Sequence, residues 1–269
     1  MANSINTNAG ALIALQNLNN TSRDLAITQN RVNTGQKVSS AKDNGAIFAI
    51  ATNQRAEMGA LDAVKNSMQR GQSIVDVALA AGETITKALE EQKSLAVAIE
   101  SSVAGSAAET AYLADFNALG NEITKALGGA TFDGFNLYSA AAADVQVKTG
   151  TGTTDVFTLK ATGAATAVAT AGGAILRAGA TATAVDTALK AFTAELGALG
   201  TKSKSLERSL TFTGKIQDSI EVGIGNLVDA DLAKESAKLT ALQTKQQLGV
   251  QALGIANQSS SILLGLFRG

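Results

Sequence analysis

The chain of 269 residues contains no cysteine, no histidine, no tryptophan and no proline. Without Cys or His there is neither thiolate nor imidazole for nucleophilic catalysis, and the usual zinc and copper sites have no ligands. No disulfide can form, so cysteine says nothing about redox compartment. Aromatic residues make up 4%, too few for a helix anchored at a lipid surface. An excess of one charge is missing too: 22 Lys and Arg stand against 23 Asp and Glu, which advertises neither nucleic acid nor an anionic membrane. No run of 18 apolar residues occurs, so no transmembrane helix is expected. The opening MANSINTNAGALIALQ lacks the basic start and unbroken apolar stretch of a signal peptide. These absences leave no enzyme, no metal and no cofactor, and on their own they read as a cytosolic chain.

The missing proline has a positive meaning. A Pro inside a helix costs about 3 kcal/mol, and a chain without one is free to build long helices. Asn226 to Gly269 carries apolar residues at helical spacing: Leu239 and Leu242, Leu253 and Ala256, Leu263 and Phe267, with Gln246, Gly249 and Ser260 between them. That is a seam for one partner helix. Leu248, Val250, Ile255, Ile262, Leu264 and Leu266 lie off the seam, so a single partner leaves them bare. Each Leu or Ile left in water forfeits roughly 1.5–3 kcal/mol of burial.

The start of the chain answers its end. Ala11, Leu15, Leu18, Ser22, Leu25, Gln29 and Val32 step by three and four, giving a second seam on a helix expected from about Ile5 to Val38, with Asn3 or Ser4 as its cap. The two terminal helices are expected to pair antiparallel. Loop-forming residues cluster over 33–47, and helical spacing resumes from Ala46 to about Gly128, interrupted by a turn at SSVAGS, 101–106. Alternating stretches at Phe132 to Tyr138, Asp144 to Lys148 and Asp155 to Lys160 are the β signal, with Gly150 to Thr154 as a hairpin loop. Residues 161–183 are low-complexity Ala, Thr and Gly, expected to be irregular. A helix is expected from Val185 to Ile224, with Gly223 and Gly225 leading into the terminal one. The expected fold is mainly α, with long antiparallel helices, paired terminal coiled-coil arms and a small β-hairpin region in the middle.

Certain residues together resemble a known family. Ser4-Ile-Asn-Thr-Asn8, Arg31-Val-Asn-Thr-Gly35 and Ser40-Ala-Lys-Asp43 stand at the start. Asp229-Ala-Asp231, Ala233-Lys-Glu235, Gln243 to Gln251, Ala256-Asn-Gln258 and Leu263 to Arg268 stand at the end. The chain resembles bacterial flagellin, of a minimal type without large outer domains, over roughly 1–137 and 185–269. The resemblance implies a filament subunit used in swimming, exported unfolded by the flagellar type III system, which moves the expected location from the cytosol to the extracellular flagellum. It implies that residues 1–43 with 228–269 form an inner, channel-lining coiled coil. Residues 44–227 would form the outer domain, with its β-hairpin region at 132–160 and variable segment at 161–183. The partners implied are other copies of the chain in a heterologous helical polymer, an export chaperone at the C-terminal helix, and the flagellar cap and junction proteins, with no nucleic acid and no membrane. The runner-up is a hook–filament junction or cap-type relative. In flagellins sensed by the animal innate immune receptor, an Arg stands where Glu91 stands here. Reversed charge at a contact residue is costly, so the resemblance does not extend to that receptor.

The candidate site is therefore an assembly surface: Leu12, Leu15, Leu18, Leu25, Val32, Leu239, Leu242, Leu253, Leu263 and Phe267. The arms are expected to be disordered in a lone subunit, because ordering costs about 1–2 kcal/mol per residue and their apolar faces go uncovered. Thr149, Thr151, Thr153, Thr154, Thr162 and Thr166 are either acceptors of O-linked sugars or simply solvated. Asp229 and Asp231 look like a carboxylate pair, but an acidic first turn of a helix is the expected reading. Asp43-Asn-Gly45 lacks the later ligands of a calcium loop and is expected to be a turn.

Overall fold

In the computed structural model, residues 8–139, 143–161 and 175–266 are described, the side chains of 259–266 excepted. The described residues form five helices: α1 (Ala9–Thr34), α2 (Gly45–Ser101), α3 (Ala107–Gly129), α4 (Ala182–Val228) and α5 (Leu232–Leu266). Two antiparallel hairpins lie between α3 and α4: β1 (Thr131–Phe132) with β2 (Phe135–Asn136), and β3 (Val145–Lys148) with β4 (Val156–Leu159). The mainly α expectation holds. The chain divides into two compact units, Met1–Ala56 with Ile220–Gly269, and Glu57–Ser219.

Within Glu57–Ser219 the core is drawn from all three helical segments and from strands β3 and β4. Met68, Val75, Ile85, Leu89 and Ile99 of α2 are buried with Phe116 and Ile123 of α3 and Phe192, Leu199 and Leu206 of α4. The steps of four, seven and ten between them are the apolar stripe of amphipathic helices. Strand β3 alternates as a half-buried strand should, with Val145 and Val147 inward and Gln146 and Lys148 outward. It seats on α2 where Gly71 has no side chain: a Cβ there would stand 2.5 Å from Val147 Cγ2. Asp133 and Gly134, at φ 52° and 79°, supply the two positive-φ positions of the tight β1–β2 turn. Asn136 Nδ2 then donates to Leu127 O at 2.7 Å, satisfying a free carbonyl at the end of α3.

Several polar groups inside this unit are paired, while Glu195 Oε2 is buried with no hydrogen-bond partner among the described residues. The Tyr138 hydroxyl donates to Ala78 O at 2.5 Å, and its ring lies 5.5 Å from Phe192. Burial, with the Glu195 carboxylate adding to it, pushes this phenol well above the ordinary tyrosine range. Ser106 caps α3 by accepting from Glu109 N. Glu109 is held below the usual carboxylate range, first by Arg177, whose guanidinium donates to it at 2.9 Å, and then by Gly105 N. Asp186 lies between Lys190 and Lys93, at 2.6 and 2.5 Å. Hydrogen bonds from the two, Lys190 foremost, draw its pKa down to about 2.

Within the other unit, α1 and α5 run antiparallel. Asn8 Nδ2 donates to Ala256 O at 2.7 Å, Leu18 touches Gly249, and Arg31 pairs with Glu235 at 3.1 Å. Three boundaries differ from expectation. The cap of α1 is Asn8, whose Oδ1 accepts from Ala11 N, while Asn3 and Ser4 lie outside the described residues. Gly35, at φ 70°, ends α1, so the helix stops short of Val38. Helix α4 runs through Gly223 and Gly225 to Val228, because both glycines keep helical backbone and the break falls at Asp229. The linkers after α1 and before α5 pair: Lys37 N donates to Val228 O at 2.7 Å and Ala230 N to Gly35 O at 2.8 Å. A small apolar cluster of Ala51, Ile224 and Val228 sits nearby.

Candidate assembly surface

The contact between α1 and α5 is built from every third or fourth residue. On α5 the residues turned towards α1 are Glu235, Leu239, Leu242, Gln246, Gly249, Leu253 and Ala256, the seam expected from spacing with Glu235 added at its start. On α1 they are Ala11, Ala14, Leu18, Thr21, Leu25, Thr28 and Val32. Leu18, Leu25 and Val32 face the partner as expected. The alternate positions fall one residue earlier than spacing suggested: Ala14, Thr21 and Thr28 replace Leu15, Ser22 and Gln29. At the first of these, spacing favours the larger Leu15, whereas the seam takes the smaller Ala14. A Cβ on Gly249 would lie 3.3 Å from Leu18 Cδ1.

Such a seam is a weak glue. Thr21 spends its hydroxyl on Asn17 O. Thr28 Oγ1 and Glu235 Oε2 are buried with no hydrogen-bond partner among the described residues, each a cost of about 1–3 kcal/mol. Gln246 points at α1, its amide 3.5 Å from Ser22 Oγ, and Gln251 faces outward. Besides the leucines of the seam, many large apolar residues are on the outside. Leu12 is 61% exposed, Leu248 60%, Val250 56% and Ile255 69%, and Ile13, Leu15, Ile27 and Leu232 join them. Soluble helices normally turn such residues inward as well. Between α1 and α5, one edge is hollowed into a groove of about 420 Å³ lined by Ile13, Ala14, Leu248, Gly249 and Ala252.

The remaining candidate residues are placed as follows. Leu239, Leu242 and Leu253 lie in the seam; the side chain of Leu263 and all of Phe267 lie outside the described residues. Thr149, Thr151, Thr153 and Thr154 sit in and beside the β3–β4 loop, while Thr162 and Thr166 fall outside the described residues. Asp231 caps α5, its Oδ1 accepting from Lys234 N at 3.1 Å. Asp43 accepts from the amides and hydroxyls of Ser39 and Ser40, and these bonds, Ser40 foremost, lower its pKa. Asn44 caps α2 through Ile47 N. Those acids are occupied in turns and caps. Spacing alone missed Ile13 and Ile27 as outward apolar residues; their exposure follows once the seam register is known.

Residues 5–143 match the bacterial flagellin N-terminal helical region, and residues 182–267 the bacterial flagellin C-terminal helical region. Flagellin FljM of Caulobacter vibrioides is 52% identical over 280 residues, covering 99% of both chains. Flagellin FljK of the same organism is 50% identical over 285 residues, again covering 99% of both chains. The flagellin of Brucella melitensis is 36% identical over 283 residues and 99% of each chain. With a family match at both helical ends and full-length relatives at half identity, this chain belongs to the bacterial flagellin family.

Proposed function

We propose that this protein works as the structural subunit of a flagellar filament, with the paired terminal helices as its inner layer. Flagellins are structural subunits of the extracellular filament and not enzymes. The observation that carries the reading is the apolar surface that the helix pair leaves bare: beyond the leucines of its seam, Leu12, Ile13, Leu15, Leu248, Val250 and Ile255 stand exposed. A lone chain gains nothing from those outer residues, and repeated neighbours around an axis gain all of it. The contact is heterologous, each copy offering one surface and receiving a different one, so growth does not close. Residues 1–43 with 228–269 form the inner coiled coil that lines the channel, and 44–227 the outer body. Thr240, Thr244, Gln247 and Gln251, exposed on α5 away from its seam, suit a hydrated lumen. The subunit is exported unfolded by the type III route and secreted, a chaperone binds its C-terminal helix in a groove of its own, and cap and junction proteins meet the filament ends. The hairpin threonines Thr149, Thr151, Thr153 and Thr154 are open to O-linked sugars.

Seeded reassembly of purified, heat-dissociated protein, viewed by electron microscopy, tests this. Long tubes are expected, whereas rings or short plugs favour a junction-type relative. Hydrogen exchange on the free subunit is expected to find residues 8–34 and 232–258 unprotected, and protection there in dilute monomer would count against assembly-coupled ordering.

A further inference from the structure

We infer that neighbouring subunits join through the two long edges of the α1–α5 pair, a ridge of Leu12, Leu15 and Val250 on one copy entering the groove walled by Ile13 and Leu248 on the next. This rests on the reading of the chain as a filament subunit and specifies which surfaces meet. A helix turns about 100° per residue. Measured from the direction of the partner helix, Ile13 then lies about 120° to one side of α1, and Leu15 about 80° to the other. On α5, Leu248 and Val250 part in the same way, by about 135° and 65°. Ile13 and Leu248 flank the groove, so Leu15 and Val250 stand on the opposite edge.

The two edges match in level and in chemistry. Asn8 meets Ala256 and Leu18 meets Gly249, so Leu15 is level with residues near 251, beside Val250 and directly behind the groove. A copy whose ridge enters that groove lies alongside, not end to end. Residues 12–19 and 247–257 contain no charged side chain, and Lys245 at the groove's end is the charged residue in its lining. Burial of aliphatic surface therefore drives the contact, and excluded salts such as sulfate strengthen it. A helix from an unrelated protein would fill the groove and leave the ridge bare. A second copy covers both at once, and every added copy presents the same pair of edges again.

The absence of native cysteine makes the test clean. Leu15→Cys protein and isotope-labelled Ala252→Cys protein are mixed, grown on unmodified seeds, checked as tubes by microscopy, and oxidised. Mixed disulfide dimers are expected in tubes and absent from dissociated subunits. Leu15→Cys homodimers in tubes, or tubes with no mixed dimers, would overturn the pairing while leaving the filament reading intact. Unsubstituted protein that forms no tubes would instead defeat that reading. A second measurement needs no cysteine: Leu15→Asn and Leu248→Asn are each expected to raise the critical concentration for seeded growth at least tenfold. Thr240→Asn, on the face of α5 turned away from α1, leaves it within twofold. Equal effects of all three would refute the assignment.

Discussion

Truncating Leu248 isolates the assembly term from the folding term. Leu248 is 60% exposed in the single chain. Full burial of a leucine side chain is worth roughly 1.5–3 kcal/mol, so about 1–2 kcal/mol of it becomes available only when a neighbour covers the site. Leu248→Ala discards most of that from each subunit added. At 1.4 kcal/mol per factor of ten, the critical concentration for growth on seeds should rise about 5- to 30-fold. The assay is the unpolymerised protein remaining above pelleted filaments, measured over a series of total concentrations. Circular dichroism of the dissociated subunit supplies the control, and its melting curve should not move. Leu199→Ala is the converse: that side chain is fully buried within Glu57–Ser219, and its loss should cost the monomer about 2–5 kcal/mol. A critical concentration for Leu248→Ala within twofold of the parent would refute the argument, as would a lowered monomer melt.

Asp186 titrates at about 2 in the folded chain, below its ordinary value near 3.9. A depressed carboxylate contributes stability above its unfolded pKa and loses it as pH falls through the folded one. The monomer melting temperature should therefore drop between about pH 4 and 2, and Asp186→Asn should shrink that drop; an unchanged slope would show that the two lysines do not hold the charge. Gly82→Ala places a Cβ 2.2 Å from Leu196 Cδ2 and 2.8 Å from the Tyr138 hydroxyl. The overpacking of about 1–3 kcal/mol exceeds the helix-propensity gain of about 1 kcal/mol, so the melt should fall. The fall should be smaller in a Leu196→Ala background, and a double-mutant cycle with no coupling would contradict the contact.

Much of the architecture was legible because long helices repeat their signal. The turn at 102–106, the hairpin at 145–159 and the α5 seam were all visible as spacing. The α1 seam was half legible. Its alternate positions went to Ala14, Thr21 and Thr28, whereas a reading by hydrophobicity rewards Leu15. Helix ends were decided by single backbone conformations, such as the left-handed Gly35, that leave no periodic trace. The same holds for Gly223 and Gly225, which spacing took as a break and α4 carries through. The tie between Arg177 and Glu109 joins residues far apart in sequence, and no local pattern could announce it.

The pairing of Gly35 and Lys37 with Val228 and Ala230 has a consequence for how the arms come to order. Both strands of the chain pass between helices at one shared crossing, so neither terminal helix is tethered independently. Whichever extremity orders first holds the start of the other beside it, through the bonds of Lys37 N to Val228 O and of Ala230 N to Gly35 O. A lesion on one side of that crossing should therefore be felt as the loss of both arms together.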